Sequence, residues 1–307
     1  MEEIVKTLPQ HTSSWSKGRL SYYMHEGFWS INLFHGGVAL NQQRYKAQPN
    51  VVLCSSPKTG TTWLKALAFA IVTQNKFGES NSPLLTTFTH DFIPHFEFDL
   101  KQNEENQKNS SFPLAATHLP YASLPKSIVS SNCKIVYIYR NIKDVIVSHY
   151  HFVRELIKLP VEDAPFEDVY RVLPTFLDLI MCLKFTMLWF CESKMCVQSI
   201  ECKMGQQGLT ANELLLIMKK ASLERTGTIL FLKYEDLKRD PMGHVKTLAE
   251  FIGYPCSREE EDAGVIENII NLKATDGDWE NYFTEEMKEK IDKLIYQKMS
   301  GTGLILT

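Results

Sequence analysis

Residues 51–72 read VVLCSSPKTGTTWLKALAFAIV. The first four are an apolar run of the kind that forms a buried strand, and Ser55, Ser56 and Pro57 interrupt it. From Thr61 onward the apolar residues recur every three or four positions, which is the spacing of a helix packed on a core. The segment therefore predicts a strand, a loop and a helix in succession, which is half of a βαβ unit.

The same alternation continues along the chain. Further strands are predicted near 112–117, 134–139 and 228–232, and further helices over 143–156 and 243–252. Strands that alternate with helices are typical of a mainly parallel sheet with helices on both faces. We therefore expect an α/β fold with a central, mainly parallel sheet, and we treat residues 1–307 as a single domain.

Charge and composition restrict the partners and the location of the protein. The net charge of −3 at pH 7 gives no general attraction for nucleic acid or anionic lipid, so a phosphate-bearing ligand must be held by a local site. The N-terminus lacks the basic segment and apolar core of a secretory signal, so a cytoplasmic protein is expected. Residues 173–191 are apolar, but Asp178 and Lys184 interrupt them, which favours a buried helix over a membrane span.

The seven cysteines include no CxxC pair, and in a cytoplasmic protein they are expected to be free thiols. Four of them are close in sequence, at Cys182, Cys191, Cys196 and Cys202. Their irregular spacing fits no zinc template, so the sequence predicts no metal site.

The loop PKTGTTW, just before the first predicted helix, is a candidate anion site. A Gly-containing turn at a helix N-terminus directs several backbone N–H groups toward one anion. The loop is not a Walker A motif, because Gly60 is followed by Thr61 and Lys58 comes before it. The alternative is an ordinary turn with Thr61 or Thr62 as the N-cap. Trp63 is either a core residue or a surface on which a nucleotide base stacks.

Arg140 follows the predicted strand 134–139 at its carboxyl end, where ligands bind in open α/β sheets. Its planar guanidinium suits a phosphate, and the hydroxyl of Ser148, two turns into the next helix, can reach the same group. The alternative for Arg140 is a surface ion pair. Lys143 and Asp144 are expected to be solvated charges at the start of the helix.

His118 ends another apolar run and precedes a turn fixed by proline. A histidine at the carboxyl end of a strand, beside an anion site, suits a general base, although a lone histidine is also a common structural residue. His90, His95, His149 and His151 lack that context and are expected to be solvated or packing residues.

Together these motifs resemble those of a known family, the cytosolic sulfotransferases, and within it the plant branch. PKTGTTWLKAL is similar to the phosphosulfate loop of that family, THLPY to its catalytic-histidine segment, and YRNIKDVIVSHYHF to its 3′-phosphate motif. LFLKYEDLKRDP resembles a core segment. The resemblance covers about 20–165 and 221–270, with the tripeptide GDW near the C-terminus, and implies the P-loop-like sulfotransferase fold.

The resemblance also implies a chemistry. The co-substrate would be 3′-phosphoadenosine 5′-phosphosulfate (PAPS), used without a metal, and His118 would take the proton from the acceptor hydroxyl as that oxygen attacks sulfur in line. Lys58 would neutralise charge on the leaving phosphate oxygen. The residues implied in donor binding are Lys58, Thr59, Gly60, Thr61, Thr62, Trp63, Arg140, Ser148 and Lys273. The expected acceptor is a small plant metabolite of the flavonoid, steroid, hydroxyjasmonate or desulfo-glucosinolate class.

Two segments depart from the family pattern. Residues 172–220 do not resemble its Gly- and aromatic-rich stretch, and residues 271–275 read NLKAT where the family has Arg-Lys-Gly, so that Lys273 alone matches there. The missing arginine predicts weaker donor binding. The alternative hypothesis is a catalytically silent, nucleotide-binding relative. A kinase-like nucleotidase is a third reading, which the missing Walker A motif and Mg²⁺-binding acidic pair disfavour. The sequence does not specify an oligomeric state.

Overall fold

The computed structural model describes residues 7–25, 28–31, 51–77, 81–87, 89–93, 95, 97, 113–119, 124–129, 131–172, 227–258, 264, 284–290 and 293. The strands are β1 Gln10–Thr12, β2 Ser21–His25, β3 Phe28–Ile31, β4 Val51–Ser55, β5 Leu114–Thr117, β6 Lys134–Tyr139 and β7 Ile229–Lys233. The helices are α1 Thr61–Thr73, α2 Thr89–Phe92, α3 Lys126–Val129, α4 Ile142–Leu156, α5 Phe166–Arg171, α6 Tyr234–Arg239 and α7 Pro241–Ile252, and Pro83–Leu85 form a 3₁₀ turn.

Four parallel strands form the central sheet, in the order β5-β4-β6-β7. All five residues of β4 are buried, as expected for a strand covered on both faces, which needs a continuous apolar run. Leu53 pairs with Ala116 on one side and with Val136 on the other. This register aligns the carboxyl ends of the strands, and it therefore brings Ser55 and the residue after Thr117 to one edge of the sheet. A separate antiparallel sheet is formed by β1, β2 and β3.

One face of the sheet and helices α1 and α7 share a hydrophobic core. Leu53 of β4 and Ile138 of β6 lie in one cluster with Leu67 of α1 and Leu248 of α7. Leu67 is fully buried, and burial of a leucine of this kind stabilises a fold by about 1.5–3 kcal/mol. This packing fixes the N-terminus of α1 against the ends of the strands.

The predicted fold class, a mainly parallel sheet flanked by helices, is confirmed. The helix expected from Thr61 ends one residue later than predicted, at Thr73, and β6 has its predicted bounds. Helix α7 begins two residues earlier than predicted, and α6 was not predicted at all. The buried helix expected over 173–191 and the four clustered cysteines lie outside the described residues. Among the described residues, Cys54, Cys133 and Cys256 form no disulfide.

Within the described ranges, no helix has both the length and the apolar character needed to cross a membrane.

Candidate active site

The loop between β4 and α1 has the backbone of an anion cradle. Gly60 is the N-cap of α1, has a positive φ of 112° and provides no side-chain cap. The alternative interpretation, an ordinary turn with Thr61 or Thr62 as the N-cap, is therefore wrong. A Cβ atom at Gly60 would lie 2.6 Å from Cδ2 of Tyr234, so this position needs glycine both for its φ and for its closeness to the ring. The uncapped first turn leaves its N–H groups to a ligand.

Hydroxyl groups hold this loop to the sheet. Thr59 Oγ1 donates to the carbonyl of Ser56 at 2.8 Å and lies 3.3 Å from the carbonyl of Ile138. Thr61 Oγ1 lies 2.7 Å from Oγ of Ser55. Both threonines are buried, whereas Thr62 is exposed. The hydroxyls of Thr59 and Thr61 therefore stabilise the loop, and the N–H groups at the start of α1 are the ones available to an anion.

Lys58 brings a positive charge to the loop. Its side chain is half-buried, and its ammonium lies 4.9 Å from the centre of the Phe152 ring. Burial, and then the charge of Arg140, lower the pKa of Lys58. Burial, and then the charge of Lys58, lower the pKa of His149 to about 4, so this buried imidazole is neutral at pH 7. Because Lys58 and Arg140 repel each other, an anion bound between them would be stabilised.

Arg140 follows β6 and lies on the ring of Tyr234. Its guanidinium is 4.6 Å from the ring centre and 3.4 Å from Oδ1 of Asp144. The side chains of this ion pair are each only 10% exposed. The prediction that Asp144 is solvated is therefore wrong: it is the buried counter-ion that orients the arginine. Ser148 is half-buried one turn further along the same helix.

Tyr234 and Glu235, which sequence reasoning missed, support this side of the site. Tyr234 packs edge-on against Trp63, with ring centres 5.3 Å apart, and Trp63 belongs to the hydrophobic core. Glu235 Oε1 accepts a hydrogen bond of 2.6 Å from the backbone N–H of Asn141 and so fixes the turn after Arg140. A usable signal was present, because Tyr234 and Glu235 directly follow the carboxyl end of β7, a strand of the parallel sheet.

His118 lies beside the loop, at the end of β5. Its Nδ1 is 2.8 Å from the carbonyl oxygen of Ser55 and 3.3 Å from Oγ of the same serine, which also contacts Thr61. Since a carbonyl only accepts, Nδ1 carries the proton, and Nε2 is then the basic nitrogen. Burial lowers the pKa of His118 to about 4, so the imidazole is neutral at pH 7. The structure thus brings together two regions that were predicted separately, the loop and the histidine.

Buried polar side chains pack next to His118. The ammonium of Lys65, a fully buried residue of α1, lies 2.9 Å from the carbonyl of Ile93 and 2.9 Å from Nδ1 of His95. The ring centre of His95 is 4.8 Å from that of His118. His95 is therefore a packing residue within the site. The sequence analysis did not predict that it lies beside His118.

Glu97 is another buried polar residue in contact with His118. Its carboxylate is buried and accepts hydrogen bonds from the backbone N–H of His118 at 2.6 Å and from the hydroxyl of Thr117 at 2.9 Å. Burial raises the pKa of Glu97 to about 7, even though these hydrogen bonds and the charge of Lys65 lower it. Sequence reasoning missed Glu97, although an acidic residue within the aromatic stretch HFEF is a signal of a buried carboxylate.

Among the described residues, the ring nitrogens of His95 and His118 and a carboxylate oxygen of Glu97 lie within 4.8 Å of one another, as metal ligands do. The Lys65 ammonium, however, contacts the same His95 ring, and both Glu97 oxygens accept hydrogen bonds. A metal ion there would be repelled by the ammonium and would compete with the donors that Glu97 already accepts from. The group is therefore arranged as a hydrogen-bonded network around His118.

Lys273, the last predicted donor residue, lies outside the described residues. So do residues 173–220 and 271–275, which make up nearly all of the two atypical segments.

Comparison with known proteins shows the family. The profile described as "Sulfotransferase domain" matches residues 48–272. A protein of Flaveria bidentis named "Flavonol sulfotransferase-like" and the flavonol 4′-sulfotransferase of Flaveria chlorifolia are each 50% identical over 100% of this chain, and the alignments cover 100% and 97% of their own lengths. Cytosolic sulfotransferase 17 of Arabidopsis thaliana is 34% identical over 99% of this chain and 89% of its own.

The solved structures agree in fold. A crystal structure of an Arabidopsis thaliana sulphotransferase matches with a TM-score of 0.67 and 29% identity, over 99% of this chain and 94% of the other. Retinol dehydratase in complex with androsterone and the inactive cofactor PAP matches with a TM-score of 0.60 at 19% identity, over 98% of this chain and 93% of its own.

The alignment with the Flaveria bidentis relative runs over 337 positions, more than the 307 residues of this chain, so that relative contains residues that this chain lacks. The family is nevertheless shown by a profile that spans most of the chain and by full-length relatives. The chain belongs to the plant-type cytosolic sulfotransferases, and it is a PAPS-dependent enzyme that transfers a sulfuryl group to the hydroxyl of a small-molecule acceptor.

Proposed function

We propose that this chain sulfates the hydroxyl of a flavonol, with PAPS held by the loop between β4 and α1. The observation that carries the proposal is the position of Ser55, which contacts Thr61 at the start of α1 and His118 at the end of β5. A donor anion in the cradle is thereby placed next to a neutral imidazole. The relatives named for flavonols, at 50% identity over the whole chain, support the acceptor class.

The proposed reaction has one bond-forming and one bond-breaking event at sulfur. The acceptor oxygen attacks the sulfur atom, the bond from sulfur to the bridging phosphate oxygen breaks, and the acceptor proton passes to Nε2 of His118. The products are the sulfate ester and 3′-phosphoadenosine 5′-phosphate (PAP). Lys58 and the N–H groups of α1 stabilise the charge that grows on the leaving oxygen. None of these steps requires a metal ion.

Arg140 and Ser148 are proposed to hold the 3′-phosphate. The guanidinium of Arg140 is fixed in place by Asp144 and Tyr234, so it loses little freedom when it binds a phosphate. Trp63 packs in the core on Tyr234, and we propose that it forms the floor under the adenine. Relatives named cytosolic support a cytoplasmic location.

The acceptor class is tested by supplying purified full-length protein with ³⁵S-labelled PAPS. The acceptor panel contains a flavonol, its fully O-methylated derivative, a steroid alcohol, a hydroxyjasmonate and a desulfo-glucosinolate. We expect label transfer to the flavonol with the highest kcat/KM, and none to the methylated derivative, which has no hydroxyl. Preferred transfer to another class would overturn the acceptor assignment. Binding of PAP without transfer to any acceptor would favour the silent relative.

Replacing Arg140 is expected to weaken donor binding. Charge-assisted hydrogen bonds contribute about 1.5–3 kcal/mol, so Arg140→Met should raise the KM for PAPS by about 10- to 100-fold. Arg140→Lys keeps a partner for Asp144 but loses the planar fork, and its KM should lie between those of the wild type and Arg140→Met. The measurement is KM for PAPS at saturating acceptor, with thermal unfolding to check folding.

The matched control for Arg140 is Arg239→Met, which removes an exposed arginine paired with Asp236 at 2.7 Å. This control should leave the KM for PAPS unchanged. If folded Arg140→Met binds PAPS as tightly as the wild type, Arg140 does not hold the 3′-phosphate.

A further inference from the structure

The carboxylate of Glu97 holds the backbone at the end of β5. His95 pairs with Ala116 in parallel, so the segment that contains Glu97 runs alongside β5. Glu97 Oε1 accepts from the N–H of His118, Oε2 accepts from the hydroxyl of Thr117, and that hydroxyl oxygen accepts from the N–H of Leu119 at 2.9 Å. The Glu97 side chain thus fixes Thr117 and His118 directly, and Leu119 through the hydroxyl of Thr117.

We propose that Glu97 is a positioning residue for sulfuryl transfer. By fixing the backbone of residues 117–119, its carboxylate holds the His118 imidazole with Nδ1 on the carbonyl of Ser55 and Nε2 toward the substrate. The proposal rests on the role of His118 in the proposed function. In this role Glu97 acts through His118 and contacts neither substrate.

Holding the backbone with a buried carboxylate is energetically unfavourable unless the charge is compensated. Glu97 is only 1% exposed, and burying an ionised group is unfavourable unless it is paired and hydrogen-bonded. The nearby charge of Lys65, itself fully buried, offsets part of this cost. An ionised carboxylate has an acceptor oxygen for each of the two donors, whereas a neutral amide has only one oxygen. Its negative charge also stabilises the imidazolium that forms on His118, within about 4.8 Å.

The protonation state of Glu97 provides a signature of this role. The titratable groups near it are Lys65 of α1, Cys54 of β4, His95 of its own segment and His118 at the end of β5, while His90 of α2 faces the two imidazoles. The pKa of Glu97 is raised to about 7, so its carboxylate is ionised above that pH and gains a proton as pH falls through it. A protonated Glu97 has no negative charge, carries a donor O–H and is a weaker acceptor for the two donors, so kcat should fall as pH falls through about 7.

The direct test is Glu97→Gln, which imitates the protonated form at nearly constant size. We expect kcat to fall by about 10- to 100-fold, because small misplacements of a catalytic group have effects of that size. The affinity for PAP, measured by titration calorimetry, should be unchanged, and the pH dependence near 7 should disappear. The matched control is Asp240→Asn, since Asp240 Oδ1 also accepts from a backbone N–H, that of Gly243 at 3.0 Å. It should keep wild-type kcat and pH profile.

Thr117→Val is a second variant that stays informative if Glu97→Gln fails to fold. It removes the hydroxyl bonded to Glu97 Oε2, and kcat should fall by a smaller factor than in Glu97→Gln, with PAP affinity unchanged. Where both variants fold, the loss of kcat in the double variant should be smaller than the product of the two single losses, because both changes break the same hydrogen bond.

The proposal is overturned if folded Glu97→Gln or Thr117→Val keeps the wild-type kcat. It is also overturned if Glu97→Gln still loses activity as pH falls through about 7. Wild-type protein without any turnover overturns the proposed function instead, so the two failures are distinguishable.

Discussion

Replacing His118 by alanine is expected to lower kcat by about 10²- to 10⁴-fold, which is the usual contribution of a general base. The reason is geometric. The Ser55 carbonyl holds the proton of the imidazole on Nδ1, so Nε2 is the basic nitrogen, and it lies beside the loop in which we place the sulfuryl donor. PAP binding should be unchanged, because the proposed donor contacts are Lys58, Arg140 and the N–H groups of α1. Single-turnover kinetics with labelled PAPS, beside calorimetry with PAP, measures both quantities.

His244→Ala is the matched control for this experiment. His244 Nδ1 also lies 2.8 Å from a backbone carbonyl, that of Asp240, but it is a half-buried residue of α7. This variant therefore loses the same kind of bond outside the site, and its kcat should stay at the wild-type value. If His118→Ala binds PAP and retains kcat within about tenfold of the wild type, then His118 is not the base.

The pH profile gives a second check on His118. Burial lowers its pKa to about 4, so the neutral, basic form is present above that pH and is lost as pH falls through it. The loss of activity that we expect near pH 7 therefore arises from Glu97 rather than from protonation of His118. If Glu97→Gln still loses activity near pH 7, another titratable group is responsible for that loss.

The parts of the site that could be predicted from the sequence are those that a short sequence pattern identifies. The strand and helix around Lys58 are visible because apolar spacing changes from a continuous run to a helical period within a few residues. Arg140 and His118 were found because each follows the carboxyl end of a strand, and parallel strands end at one edge. The register of Leu53 with Ala116 and Val136 turns those separate positions into one site.

The sequence did not predict contacts that depend on tertiary packing. Lys65 lies in a helix where an isolated lysine usually indicates solvent, yet its ammonium is satisfied by Ile93 and His95 from a segment almost thirty residues away. Asp144 follows the start of a helix, where acidic residues are common at the surface, but Arg140 pairs with it in the interior. The partners of Lys65 are distant in sequence and that of Asp144 is four residues away, but in each case a buried partner outweighs the preference of the residue for water.

Helix α6 was missed for a different reason. It follows β7 without an intervening residue, since β7 ends at Lys233 and α6 begins at Tyr234. A sequence without Gly or Pro at such a junction contains no signal that one element stops and another starts. This junction matters because it places Tyr234 behind the anion cradle.

The second large effect is expected for Gly60→Ala. The new Cβ would lie 2.6 Å from Cδ2 of Tyr234 and 3.1 Å from Cδ1 of Ile138, at a φ of 112° that L side chains rarely adopt. The aromatic ring cannot move freely, because it also packs against Trp63 and Arg140. The loop must therefore shift, which should lower stability by about 1–3 kcal/mol and weaken PAP binding by about 10²-fold. Urea unfolding and calorimetry measure the two effects.

Gly253→Ala separates backbone strain from collision. Gly253 ends α7 with a φ of 94°, and the nearest atom to an added Cβ is the flexible tip of Lys134, at 3.6 Å. This control carries a similar strain without a clash near the cradle, so it should lose stability but bind PAP with wild-type affinity. The difference in PAP affinity between the two variants isolates the contribution of the shape of the loop. If Gly60→Ala binds PAP as tightly as Gly253→Ala, the N-terminus of α1 does not hold the donor phosphosulfate.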